Sequence, residues 1–113
     1  MKLSTHRSQG VVIVRVGETK PMYPMLPDLA DSVSTLVTQG DSRVVIDMST
    51  VSYVDSASIG YLMDLYRQAT QADSGLKLPG VQTRVETMLT MAGTQHFIEP
   101  HADEASAIRG FGE

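Results

Sequence analysis

At 113 residues, the chain has the length of one domain built around one core, read here as a single unit over 1–113. Hydrophobic residues at 42% and charged residues at 19% exclude a disordered chain. A net charge of -4, a pI near 5.2 and the lack of any Lys/Arg run exclude nucleic acid as a partner, and the absence of cysteine excludes disulfides, thiolate metal sites and a cysteine nucleophile. The opening "MKLSTHRSQG" lacks the apolar stretch of a signal peptide, and no apolar run reaches membrane-spanning length. A cytoplasmic protein with no direct membrane insertion is expected.

Taken in chain order, "GVVIVRV" (10–16) is rich in β-branched residues and reads as a buried strand, with the first ten residues available to pair with it as an antiparallel edge. "GETKPMYPMLP" (17–27) carries Pro21, Pro24 and Pro27, which forbid a continuous helix or central strand and predict a loop with apolar tips. Leu29, Val33, Leu36 and Val37 then follow the stripe of an amphipathic helix from about Asp28 to Gln39, with Gly40 as its stop. "RVVIDM" (43–48) is a second apolar run, a strand buried on both faces as in a parallel sheet.

Ile59, Leu62, Met63 and Tyr66 mark the next helical face, which runs to about Ala72 before "DSG" ends it. "LKL" (76–78) is a third strand in this reading. Val81, Val85, Met88, Leu89 and Ala92 lie on a further helical face that stops at Gly93. "HFIEP" (96–100) adds a short last strand, and the tail from about Asp103 forms a final helix. The alternation predicts an α/β domain: a mostly parallel mixed sheet of four to five strands packed with about four helices.

In such a sheet, function gathers where the chain leaves a strand and enters a helix. Asp55-Ser56-Ala57-Ser58 is such a junction, and the free N–H groups of a helix start favour a carboxylate, a hydroxyl cap or a phosphate there. Asp55 or Ser56 supplies the cap. "SASIG" lacks the first glycine of a nucleophile elbow, and nothing in the spacing of His6, His96 and His101 brings a base to Ser56, so no catalytic residue is assigned. His96, Glu99, His101, Asp103 and Glu104 have ligand-type side chains without ligand spacing and read as a solvated turn, and no metal site is expected. The glycines are too scattered for a phosphate or dinucleotide loop, so no cofactor is expected. Met63, Met88 and Met91 are assigned to core packing, whereas Met22 and Met25 flank Tyr23 and either form an adaptable docking surface or fold back on the core.

"VVIDMSTVSYVDSASIGYL" (44–62) resembles the signature of STAS-domain proteins, in particular the small bacterial anti-sigma-factor antagonists, whose pattern runs approximately V-V-L-D-L-S-G-V-x-F-I-D-S-S-G-L-G-x-L. "LKLPGVQTRVETMLTMAG" (76–93) is similar to the same family's L-x-L-x-N-P-x-x-x-V-x-x-x-L-x-x-x-G, and the likeness spans about Val11 to Ile98. The resemblance implies a STAS-like fold and a non-enzymatic partner switch. The unphosphorylated antagonist would bind an anti-sigma factor that is also a serine protein kinase and so free a sigma factor; phosphorylation at Ser56 would end that binding. Ser58, standing where the family has glycine, is the second candidate phosphoacceptor. Asp55, Ser56, Ala57, Ser58, Lys20, Met22 and Tyr23 are the expected partner-binding residues. A serine phosphatase that resets the switch and a weak homodimer complete the expected partners. The alternative is a STAS scaffold or accessory subunit of a signalling or transport complex, in which Ser56 only caps a helix.

Overall fold

The computed structural model of the protein describes residues 3–19, 26–40, 43–71 and 75–112. β1 (Leu3–Ser8) and β2 (Val11–Val16) form an antiparallel hairpin, in register from Leu3 opposite Val16 to Ser8 opposite Val11. Gln9 and Gly10 join them with φ of 55° and 78°, the left-handed pair whose twist matches that of the strands. β3 (Arg43–Asp47), β4 (Gly75–Pro79) and β5 (Glu99–His101) each add in parallel to the strand before, giving the order β1-β2-β3-β4-β5. The sheet is therefore mixed only at β1.

The helices α1 (Leu26–Thr38), α2 (Ser56–Gln71) and α3 (Thr83–Met91) are the crossovers between the parallel strands. Crossovers of one hand in a sequential sheet fall on one face. Leu29 and Val33 of α1, Leu62, Leu65 and Ala69 of α2, and Val85 and Leu89 of α3 accordingly share one core with Val12, Val14, Val44 and Ile46. The alternate residues Val11, Ile13 and Val45 point the other way and are covered by Ala107, Ile108 and Phe111 of α4 (Glu104–Gly112). This period of two explains why the strands read as unbroken apolar runs: both faces are buried.

Several boundaries differ from the sequence reading. α1 starts at Leu26, with Pro27 in its first turn, where the missing N–H has no helical partner to lose and the fixed φ suits the helix. The strand expected over 96–100 falls at Glu99–His101, because Thr94–His96 closes into a 3-10 turn in which Gly93 O accepts from His96 N and Thr94 O from Phe97 N. Val81 precedes α3 and packs on the core from the loop. Met91 is not core: it is 84% exposed, since two residues beyond Leu89 is the outer side of the helix.

The tail is more than a solvated turn. Asp103 Oδ1 accepts the N–H of Ser106 at 2.8 Å and so caps α4. His101 is half-buried, its Nε2 3.2 Å from Lys77 Nζ and its Nδ1 3.3 Å from Ser106 Oγ.

Candidate functional site

The loop between β3 and α2 is fixed by alternating anchors. Met48, Val51 and Val54 are buried in the main core, and at 1.5–3 kcal/mol for a fully buried aliphatic side chain they hold the segment firmly. Asp47 Oδ1 accepts the N–H of Ser49 at 2.8 Å, and Met48 O accepts that of Val51 at 2.9 Å. Neighbouring loops are tied to it: the N–H of Ser52 donates to Thr19 O at 2.8 Å, and Gln82 Nε2 donates to Ser49 O at 2.8 Å. Between Val51 and Val54, both buried, stands Tyr53, 41% exposed.

The junction itself divides into an inward and an outward hydroxyl. Asp55 is the N-cap of α2: its Oδ1 accepts both the N–H and the hydroxyl of Ser58, each at 2.8 Å, and its carbonyl accepts the N–H of Ile59 at 3.0 Å. Ser58 is only 2% exposed. The N–H and then the hydroxyl of Ser58 hold the Asp55 carboxyl below the usual carboxylate range. Ser56, the first residue of α2, is exposed, with Ala57 half-buried beside it. The helix start thus presents one free-standing hydroxyl at the positive end of a helix of 16 residues.

On the opposite face of the sheet an ionic cluster joins the carboxyl ends of β2 and β3 to the start of α4. Arg15 donates to both carboxylate oxygens of Glu104, Nε at 2.9 Å and Nη2 at 2.8 Å. This fork, aided by Asp47, brings the Glu104 carboxyl down to about 2, while burial and the adjoining Glu104 push Asp47 up.

Of the residues singled out in the sequence, Asp55, Ser56, Ala57 and Ser58 come together here. Lys20, Met22 and Tyr23 lie outside the described residues. Sequence reasoning missed Tyr53. The signal was present in "VSYV", where buried valines three apart leave the aromatic between them on the outside. It also left the cap open between Asp55 and Ser56, and the hydrogen bonds assign it to Asp55.

The STAS family model described as "Mlab, STAS domain" matches residues 24–99. The chain belongs to the STAS domain family. Among its curated relatives is the anti-sigma-B factor antagonist of Staphylococcus epidermidis, 24% identical over 95 residues that cover 84% of this chain and 85% of the relative. A putative anti-sigma factor antagonist from Thermotoga maritima superposes with a TM-score of 0.87 at 15% identity, over 98% of this chain and 95% of that one. The Bacillus cell fate determinant SpoIIAA in its phosphorylated form superposes with a TM-score of 0.74 at 15% identity, over 97% and 99%. These superpositions show a shared α/β fold. Among the described residues no helix is long and apolar enough to cross a membrane, and no three His, Asp or Glu side chains gather as a metal would require.

Proposed function

We propose that this STAS domain is an anti-sigma-factor antagonist that works as a phosphorylation-controlled partner switch, with Ser56 as the phosphoacceptor. The observation that carries the reading is the division of hydroxyls at the α2 start: Ser56 is exposed, whereas Ser58 is buried and donates to Asp55. A kinase can reach the first without unfolding anything. The partner is an anti-sigma factor with serine kinase activity, docking on Ser56, Ala57 and the neighbouring Tyr53, and a serine phosphatase restores the hydroxyl. The names of the relatives support this role. The chain performs no turnover of its own in this reading; it is a binding module.

The test is intact-mass analysis and phosphosite mapping of the protein from its native cells, paired with affinity capture by the Ser56→Ala and Ser56→Asp variants. Phosphate on Ser56 that vanishes in Ser56→Ala, with a partner retained by the alanine variant and lost by the aspartate one, is expected. No phosphate across growth and stress conditions, together with equal capture by both variants, would overturn the switch and leave the scaffold or transporter-subunit role.

A further inference from the structure

α3 is the last crossover of the sheet, and the strand it leads to, β5, is an edge of three residues. The cover is short on that side. With Val85 and Leu89 of α3 buried against the sheet, the helical pitch sends Glu86 and Thr90 to one flank and Met88 to the other. Glu86 and Thr90, one turn apart and both exposed, stand over a cleft of about 350 Å³. Leu78, Leu89 and Ile98 form its apolar floor, and Gly80, Val81 and Ala102 border it.

The floor is held in place without a ligand. Leu78, Leu89 and Ile98 belong to the main core, and Thr94 Oγ1 donates to Leu89 O at 2.8 Å. Gly80, turning with a φ of 66°, donates its N–H to His101 O at 2.9 Å and so ties the ends of β4 and β5 together. A molecule entering the cleft meets a formed surface and pays little to order it.

The polar groups around the cleft are sorted by what they already do. The Thr94 hydroxyl is spent on Leu89 O, and the His101 imidazole is engaged by Lys77 Nζ and Ser106 Oγ on the α4 side. Glu86 is the carboxylate among the walls, and among the described residues no cation pairs with it. Thr90 adds a hydroxyl beside it. An apolar floor with one unpaired carboxylate at its mouth, on a chain of net charge -4, complements a cation with an apolar body.

We propose that this cleft binds a small organic amine, its apolar body on Leu78, Leu89 and Ile98 and its ammonium donating to Glu86 and Thr90. A volume of about 350 Å³ is at the small end of ligand sites and suits one ring with a short aminoalkyl arm. A carboxylate on the same ligand would face Glu86, which sets simple amines apart from amino acids. None of the residues around the cleft belongs to the β3–α2 loop or to α2, so the site stands or falls independently of Ser56 phosphorylation.

Amide NMR titration of the purified chain at pH 7 tests it, with phenethylamine as the probe and phenethyl alcohol and hydrocinnamate as its neutral and anionic counterparts. Saturable shifts at Gly80, Thr90, Thr94 and Ala102 are expected for the amine, with a Kd on the order of 1 mM. The alcohol should bind about fivefold more weakly, and the acid should not bind. Glu86→Gln should weaken the amine by about the same factor and leave the alcohol unchanged, a split that a structural role of Glu86 would not produce. Thr90→Phe, an exposed substitution that fills the mouth, should abolish binding of both. No saturable shift at these amides, an acid that binds as well as the amine, or a Glu86→Gln variant that holds the amine like the wild type overturns the proposal. Should Thr90→Phe lose its fold, the Glu86→Gln comparison of amine with alcohol decides alone.

Discussion

Removing one hydroxyl from the start of α2 should reveal how firmly the junction is set. In Ser58→Ala the Asp55 carboxylate keeps the N–H of residue 58 and loses the hydroxyl, a hydrogen bond to a charged acceptor at 2.8 Å. Such bonds contribute about 1.5–3 kcal/mol, and with the cap still in place the lower end, about 1.5 kcal/mol, is expected. Asp55→Ala removes the cap, about 1 kcal/mol, and with it the same bond from the Ser58 hydroxyl, about 1.5 kcal/mol more. The double variant should cost less than the two singles summed, by about the 1.5 kcal/mol of the shared bond. Asp55 titrates below its unfolded value, so its stabilisation is complete above about pH 4 and is lost as pH falls through the folded pKa. Urea unfolding of the four proteins at pH 7 and at steps below pH 4, with carboxyl-carbon NMR titration of Asp55, measures both quantities. An additive cycle, or an Asp55 in Ser58→Ala that titrates where the wild-type residue does, would refute the shared-bond account.

Gly75→Ala builds a Cβ 2.7 Å from Phe111 Cε1, so the ring must move off Lys77, whose Nζ lies 4.9 Å from its centroid. A cost of about 1–3 kcal/mol is expected, with faster amide exchange in α4 and unchanged exchange in α2 as the measured signature. At the Arg15 cluster, Glu104 at about 2 stabilises the fold fully above the ordinary glutamate range and loses that contribution as pH falls towards 2. Asp47, raised, runs the other way, binding its proton more tightly folded than unfolded. Glu104→Gln should therefore remove the first acid limb from stability-against-pH curves and let Asp47 titrate lower in carboxyl NMR, and an Asp47 titration unmoved by the change would break the coupling.

Elements with a strong period were legible in the sequence. The stripe of Leu29, Val33, Leu36 and Val37 located α1, and "VVIVRV" and "RVVID" located strands covered on both sides. What escaped was set by contacts remote in sequence. β5 is defined by its pairing with β4, with Lys77 opposite Glu99, rather than by its own three residues. His101 and Glu104 looked like solvated side chains because their partners, Lys77 and Arg15, lie 24 and 89 residues away. The site was half legible: Asp-Ser before an apolar stripe announces a capped helix, but which serine faces out depends on the pitch of α2. Ser58 shares its buried side with Leu62, Leu65 and Ala69, and Ser56 does not.

A phosphoryl group on Ser56 would meet two environments of opposite consequence. Within the fold, the N–H of Ser58 is already taken by Asp55, which leaves the first helical N–H groups and the helix dipole to favour the charge by about 0.3–1 kcal/mol. The neighbouring Asp55 carboxylate opposes it by about 1 kcal/mol in a solvated setting. These offset, so the fold should be nearly indifferent. A partner surface fitted to a neutral hydroxyl has no such balance: enclosing an unpaired double charge costs several kcal/mol, and about 4 kcal/mol is already roughly a thousandfold in affinity. Calorimetry of the phosphorylated and unphosphorylated chain should accordingly show melting temperatures within a few degrees, while partner binding falls by about three orders of magnitude or more. A phosphorylated chain that melts far lower, or whose α2 amides exchange freely, would mean that the charge acts by unfolding the helix start rather than by blocking a surface. The rigid anchoring of the loop by Met48, Val51 and Val54 argues against that outcome, because those side chains keep their burial whatever charge Ser56 carries.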